Sequence, residues 1–139
     1  MNDSVHHYRL KKSERLCSRT AVEQLFTQGQ SAIAFPLRAV YRFHQADERA
    51  SGVQMTITIP KKKIKLAVNR VLLRRRMREA YRLHRGELLV PALNPAETAL
   101  DVAFIYLATS IEPYCVIETK MRDLLERIAR HAPETPVQP

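Results

Sequence analysis

Between residues 60 and 85 the chain carries eleven lysine and arginine side chains and a single acid, Glu79. The cations are Lys61, Lys62, Lys63, Lys65, Arg70, Arg74, Arg75, Arg76, Arg78, Arg82 and Arg85. Such groups bind phosphate oxygens, and the planar guanidinium of arginine does so with two hydrogen bonds at once. Because one acid cannot neutralise the segment locally, we expect it to bind a polyanion.

The rest of the chain carries no comparable charge. Its 139 residues have a formal net charge of +9, and outside the basic segment twelve cations stand against thirteen acids. The length predicts one domain over residues 1–132, with a flexible basic lead-in over 1–12 and a disordered proline-rich tail over 133–139. A hydrophobic content of 45% is too high for a chain that is disordered throughout.

Two cysteines, Cys17 and Cys115, lie too far apart in sequence to form a metal-binding pair. We expect both to be reduced and partly buried in a cytoplasmic protein, with no disulfide partner. The first ten residues include His6 and His7 and contain no apolar run, so no signal peptide is expected. No stretch approaches the roughly 20 apolar residues of a membrane span, and we expect no membrane partner.

Apolar periodicity divides the first half of the chain into a helix and two strands. The helix is predicted to begin near Thr20, whose spacing to Glu23 fits a capping box, and to end at Gly29. Alternation of apolar and polar residues predicts strands over 37–44 and 53–59.

The second half adds the basic helix over 66–85, closed by Gly86, then a buried strand over 100–108 and a helix that opens at Pro113. The order helix, strand, strand, basic helix, strand, helix predicts an α+β fold. We expect a small sandwich of helices on a mainly antiparallel sheet, with the basic helix inside a βαβ unit.

The basic helix has two faces at 3.6 residues per turn. The face predicted to dock on the sheet comprises Leu66, Leu73, Met77, Ala80 and Tyr81. The other face presents Arg70, Arg74, Arg75, Arg78, Arg82 and Arg85. Val71 and Leu72 fall inside or beside the arginine arc, where they pack on a neighbouring element, contact a base or ribose, or weaken the site.

Aromatic side chains offer a second candidate surface. Phe26 on the first helix and Tyr41 and Phe43 on the first predicted strand could stack on single-stranded bases. Aromatic residues at period-two spacing also commonly form the core, and the sequence leaves both interpretations open.

Two other function classes are disfavoured by the residues themselves. A protein nuclease needs converging histidines or clustered carboxylates, whereas His44, His84 and His131 are scattered and the basic segment is nearly free of acids. A membrane-surface helix is disfavoured because the apolar face of the basic helix is needed to cover the sheet. A non-catalytic structural RNA-binding protein, for example on ribosomal RNA, remains open.

The basic helix resembles the signature helix of the protein subunit of bacterial ribonuclease P. The resemblance rests on Lys61-Lys62 after a strand, Ala67-Val68-x-Arg70, and the run from Arg74 to Arg82. Arg9-Leu10-Lys11-Lys12 and Leu25-Phe26-x-x-Gly29 occur in the same order, so that the similarity covers roughly residues 8–130. The family's Arg-Asn-Arg triplet is Arg70-Val71-Leu72 here, and Val22 stands where the family often has an aromatic residue.

The resemblance implies an accessory subunit of an endoribonuclease whose large RNA cuts precursor tRNA with RNA-borne magnesium ions. It implies no catalytic residue and no metal on the protein, and a left-handed βαβ crossover. The residues implied to contact the RNA subunit are Lys61, Lys62, Lys65, Arg70, Arg74, Arg75, Arg78 and Arg82. Phe26 and Tyr41 are implied to line a cleft for the 5′ leader.

Overall fold

The structure is a computed structural model that describes residues 19–46, 52–89, 91 and 98–132. Its elements are, in chain order, α1 (Arg19–Gln28), β1 (Gln30–Ala34), β2 (Leu37–Gln45), β3 (Gly52–Thr58), α2 (Ala67–Leu88), β4 (Thr98–Tyr106) and α3 (Tyr114–Arg130). The predicted lead-in over 1–12 and the tail over 133–139 lie outside the described residues. Both stay predictions, as does the single-domain organisation.

The four strands form one mixed sheet in the order β1-β2-β4-β3. β1 pairs with β2 and β2 with β4 in antiparallel fashion, whereas β3 and β4 are parallel and are joined through α2. The α+β class and the βαβ unit that contains the basic helix are therefore confirmed. The handedness of this crossover stays a prediction from the resemblance.

β1 is a strand that the sequence analysis missed. It is short, forms one edge of the sheet and turns into β2 at Phe35-Pro36. Only Ala34 in β1 is buried. Apart from Ile33, which is 56% exposed, the strand consists of small and polar residues with little strand propensity, and it shows no apolar alternation. The strand therefore forms because it pairs with β2, and not because its own residues favour a strand.

The basic helix also continues past its predicted end at Gly86. α2 runs to Leu88, and the amide of Leu89 still donates to the carbonyl of Arg85 at 3.0 Å. Leu89 is fully buried in the core and Leu88 packs against it. This burial outweighs the cost of about 1 kcal/mol that a glycine imposes inside a helix.

The sheet has two unlike faces. The larger core lies between the sheet and α2 with α3, where it includes Leu37, Ala39, Leu100, Val102 and Phe104. The predicted apolar stripe of α3 is confirmed, since each of its members is buried: Ile117, Met121, Leu124, Leu125 and Ile128.

α1 covers the opposite face through a smaller cluster of Leu25, Val40 and Ala103. Gly29 ends α1 as predicted, and its amide donates to the carbonyl of Leu25 at 2.8 Å. Within the described ranges, no helix is both long enough and apolar enough to cross a membrane.

Candidate nucleic-acid interface

α2 docks through one face and leaves the other open, as its periodicity predicts. Leu73, Met77, Ala80 and Tyr81 are all completely buried. Leu66 was predicted to join them, but this is wrong, because Leu66 precedes the first helical turn in an extended conformation and is 63% exposed.

Three arginines of α2 have no ion-pair or hydrogen-bond partner in the described part of the chain. Arg75 and Arg78 are exposed and Arg74 is half-buried. A guanidinium with no carboxylate beside it keeps all its donors available for an anion. These three residues were predicted to contact RNA, and their placement leaves them free to do so.

Arg82 was predicted to bind RNA as well, but it makes a bidentate pair with Glu79. Its Nη2 lies 2.6 Å from one carboxylate oxygen and its Nε lies 3.1 Å from the other. This contact holds the pKa of Glu79 below its ordinary value. The only acid of the basic segment is thus paired within its own helix and does not neutralise Arg74, Arg75 or Arg78.

The guanidinium of Arg70 is hydrogen-bonded to the protein's own backbone, although Arg70 was predicted to contact RNA. Its Nη1 donates to the carbonyl oxygens of Ile64 at 2.9 Å and Lys65 at 2.8 Å. Arg70 therefore fastens the lysine loop, which we define as residues 61–66, to the first turn of α2. No further hydrogen bond from its guanidinium is found within the described residues.

Two further arginines are held by the protein rather than presented to solvent. Nη1 of Arg76 donates to the backbone carbonyl of Glu112 at 2.6 Å. Arg85 was expected on the exposed arc, and this is wrong: it is 8% exposed, and its guanidinium carbon lies 5.9 Å from the ring centre of Tyr81.

The lysine loop presents its cations to solvent beside the start of α2. Lys61, Lys62 and Lys65 are exposed, as their predicted role requires. The loop turns at Pro60, whose carbonyl accepts hydrogen bonds from the amides of Lys63 and Ile64. Lysine loop and free arginines together form a cationic surface that continues from the end of β3 along α2.

The apolar residues in the arginine arc remain at the surface. Val71 is 50% exposed and Val68, one turn earlier, is 70% exposed, whereas Leu72 is half-buried. Packing on a neighbouring element therefore does not account for Val71. The two other interpretations of Val71 are a contact with a base or ribose and a weakened binding site.

The two predicted cleft aromatics lie on opposite faces of the sheet. Phe26 of α1 is 49% exposed and available to a ligand. Tyr41 points into the main core, is 2% exposed, and stacks on His131 with ring centres 5.9 Å apart. Its hydroxyl contacts Nδ1 of His131 at 2.5 Å, and burial raises the pKa of Tyr41. The expectation that Tyr41 lines a cleft with Phe26 is therefore wrong.

The β2 residues that share the α1 face with Phe26 were missed. They are the alternate set Arg38, Arg42 and His44, which flank the buried Val40. Nε of Arg38 is buried and has no hydrogen-bond partner within the described residues. The alternation along β2 that predicted the strand also places these three residues on one face, opposite the apolar residues. The same pattern could therefore have identified them.

His44 is held on this face by a buried acid of β4. Its Nε2 lies 3.2 Å from Oδ2 of Asp101, whose side chain is 5% exposed. The contact with Asp101 raises the pKa of His44, while burial and the nearby Arg42 act in the opposite direction. A protonated His44 would add a third cation beside Arg38 and Arg42.

The described residues offer little for a metal site or for a reactive cysteine. They contain no group of three or more His, Cys, Asp or Glu side chains placed to hold a metal ion. Cys115 is free and exposed, which corrects the expectation that it is partly buried, and Cys17 lies outside the described residues.

Comparisons with known proteins agree on one family. The family model Ribonuclease P matches residues 10–129. Ribonuclease P protein component of Porphyromonas gingivalis is 33% identical over 126 residues, which cover 91% of this chain and 90% of the relative. The protein of the same description from Chlorobium phaeobacteroides is 34% identical over 132 residues, with 89% and 90% covered.

Solved structures share the fold. The RNase P protein of Staphylococcus aureus superimposes with a TM-score of 0.65 at 16% identity, covering 88% of this chain and 100% of that one. The RNase P protein from Thermotoga maritima gives a TM-score of 0.63 at 20% identity, with 82% and 96% covered. On the family match and these relatives, this chain belongs to the ribonuclease P protein family.

Proposed function

We propose that this chain is the protein component of a ribonuclease P and assists endonucleolytic removal of the 5′ leader from precursor tRNA. The observation that carries the proposal is α2, whose apolar side is buried on the sheet, while Arg74, Arg75 and Arg78 make no ion pair or hydrogen bond within the described residues. The family match supports this function over a structural role on ribosomal RNA.

The RNA subunit binds along α2 and the lysine loop. Arg74, Arg75 and Arg78 lie within little more than one helical turn, so that they meet phosphates on one stretch of RNA backbone. Lys61, Lys62 and Lys65 continue the contact toward β3, and Arg70 fixes the loop that carries them. Each phosphate contact releases counterions, which makes the affinity strongly dependent on salt.

The 5′ leader lies against the face of the sheet that α1 partly covers. Phe26 offers an exposed ring for base stacking, and Arg38, Arg42 and His44 supply positive charge along β2. Stacking combined with a cationic path is the usual means of binding a single strand without strict sequence preference. This assignment replaces the one that included Tyr41.

The chemical step belongs to the RNA subunit in this proposal. Magnesium ions held by that RNA would activate water and stabilise the charge that develops on the phosphate. The protein neutralises phosphates where two RNA molecules approach, which lets them dock at a lower magnesium concentration. A cytoplasmic location is part of the proposal.

The proposal is tested by reconstituting the protein with the RNA subunit of ribonuclease P. We expect the protein to raise affinity for precursor tRNA more than affinity for mature tRNA, because only the precursor carries a leader. Equal effects on both tRNAs would contradict leader binding. Binding to ribosomes that persists at moderate salt, without any effect on cleavage, would favour the structural RNA-binding alternative.

A further inference from the structure

A pocket of about 540 Å³ lies beside the first turn of α2. Its apolar lining comes from Ile64, Leu66 and Ile111, and Asn69 and Ser110 add an amide and a hydroxyl. Its size falls in the range of pockets that bind small organic ligands. Leu66 and Ile111 are 63% and 41% exposed, so the pocket presents apolar surface that a ligand could cover.

One wall of this pocket is the lysine loop, which the protein holds at several points. The amides of Lys63 and Ile64 donate to the carbonyl of Pro60 at 3.0 and 3.1 Å. On the other side of the loop, Arg70 donates to the carbonyls of Ile64 and Lys65. A loop fixed at both ends loses little conformational entropy when a ligand binds.

The opposite wall is the segment that follows β4, and it is anchored by a buried tyrosine. The Tyr106 hydroxyl donates to the carbonyl of Ser110 at 2.7 Å and accepts from the amide of Glu112 at 2.9 Å. Oγ of Ser110 also lies 3.1 Å from a carboxylate oxygen of Glu112. Both walls are thus positioned by hydrogen bonds that do not involve a ligand.

The charge around the pocket favours an anionic ligand. Lys62, Lys63 and Lys65 belong to its lining, whereas Glu112, which is outside the lining, brings one negative charge through its contact with Ser110. Leu66 at the N-cap makes no side-chain hydrogen bond to the first amides of α2, and the first turn of this helix contains no acid. The positive end of the helix dipole therefore adds to the field of the lysines.

A single nucleotide satisfies all these features together. A base has two apolar faces for Leu66 and Ile111 and a polar edge for Asn69 and Ser110, while its phosphate matches the lysines. An RNA duplex would meet the lysines but could not enter a concave pocket, whereas unstacked bases are the usual target of such sites.

We infer that this pocket binds one unstacked nucleotide of the partner RNA, which is inserted beside the phosphates held by α2. The inference rests on the proposed function, because it takes the RNA subunit as the ligand. It assigns to Leu66, Asn69, Ser110 and Ile111 a recognition role that the electrostatic contacts of α2 do not include.

The test compares pocket variants in the complex with the RNA subunit of ribonuclease P. Ser110→Tyr places a large side chain in the pocket, and Leu66→Ala removes an exposed wall without opening the core. We expect each to weaken RNA binding by about tenfold, the scale of one lost base contact. The slope of affinity against salt should stay unchanged, because the phosphate contacts remain.

Chemical probing of the RNA supplies the specific readout. With the wild-type protein, one unpaired nucleotide should be protected, and in the Ser110→Tyr complex it should react again while the other protections persist. Thr119→Tyr, on the exposed side of α3, is the matched control and should behave as wild type.

Wild-type affinity and an unchanged protection pattern for both pocket variants would overturn the inference. A wild-type footprint without any singly protected unpaired nucleotide would overturn it as well. Neither result would touch the proposed function, provided that the wild-type protein still binds the RNA and stimulates cleavage. A wild-type protein that fails to bind would contradict the proposed function and remove this inference with it.

Discussion

The guanidinium of Arg70 is hydrogen-bonded to the backbone carbonyl of Ile64 at 2.9 Å. A residue of the signature helix thus holds the preceding loop in place. The second bond from the same nitrogen, to Lys65, makes the contact a two-point clamp. The basic helix and the lysine loop therefore present their charges as one surface of fixed geometry, which lowers the entropy lost on binding RNA.

Loss of this clamp should loosen the lysine loop. We expect Arg70→Ala to weaken binding of the RNA subunit by about tenfold, because two hydrogen bonds to a charged donor are removed. Hydrogen exchange at the backbone amides of residues 61–66 should become faster in the free protein. Arg75→Ala is the control, since it removes an exposed cation and should leave this exchange unchanged. Equal exchange in both variants would show that Arg70 does not fix the loop.

Arg74 should contact a phosphate directly. Arg74→Ala is expected to lower RNA affinity and to reduce the slope of log K against log salt by about one unit. Titrations at several salt concentrations measure this slope, with Lys120→Ala on α3 as a control for the loss of any single charge. An unchanged slope would show that Arg74 touches no phosphate.

Val71 and Leu72 replace polar and cationic residues of the family pattern at the surface of α2. Because Val71 is 50% exposed, Val71→Asn should be tolerated by the fold. We expect the double variant Val71→Asn, Leu72→Arg to bind RNA more tightly, with a salt slope steeper by about one unit for the added cation. Weaker binding would instead indicate that the apolar side chains themselves contact a base or ribose.

Gly29 should be irreplaceable at the end of α1. A Cβ at this position would overlap the carbonyl oxygen of Leu25 and lie 3.0 Å from that of Tyr41. Because both obstacles are backbone, Gly29→Ala should lower the free energy of unfolding by about 2 kcal/mol. Urea denaturation measures this loss, and Ser31→Ala at the exposed edge of β1 should leave the midpoint nearly unchanged.

The pairing of His44 with Asp101 predicts a dependence of stability on pH. Since the folded state raises the pKa of His44, protonation favours folding. The stabilising contribution is complete below the ordinary histidine pKa of about 6.5 and is lost as the pH rises through the higher folded value. Wild type should therefore be more stable than His44→Gln at pH 5.5, with the difference shrinking above neutrality. A difference that does not vary with pH would contradict this linkage.

The sequence predicts the fold well where a periodic apolar pattern coincides with burial. Met121 and Leu124 on α3, and Leu73 and Met77 on α2, lie as the spacing indicates because each helix buries one side on the same sheet. β1 lacks such a pattern. This strand forms because its backbone pairs with β2, and that pairing is not visible in the sequence.

The site is predicted less completely, because its contacts join distant parts of the chain. Alternation along β2 separates Tyr41 from Arg42, but it does not say which face α1 covers. A helical wheel places Arg70 and Arg85 beside Arg74, yet nothing in it reveals that loop carbonyls lie within reach of Arg70. Nor does it show that Arg85 is only 8% exposed, with its guanidinium beside the ring of Tyr81.

In the proposed function, arginines of α2 that have no partner within the described residues bind the RNA subunit and thereby assist cleavage. The most direct test of this claim is the rate of precursor-tRNA cleavage by that RNA at low magnesium, without protein, with wild type, and with the variant Arg74→Ala, Arg75→Ala, Arg78→Ala. We predict strong stimulation by wild type and little by the triple variant, with both proteins equally folded by circular dichroism. Equal stimulation by the two proteins would show that these arginines do not assist cleavage, and no stimulation by wild type would contradict the proposed function itself.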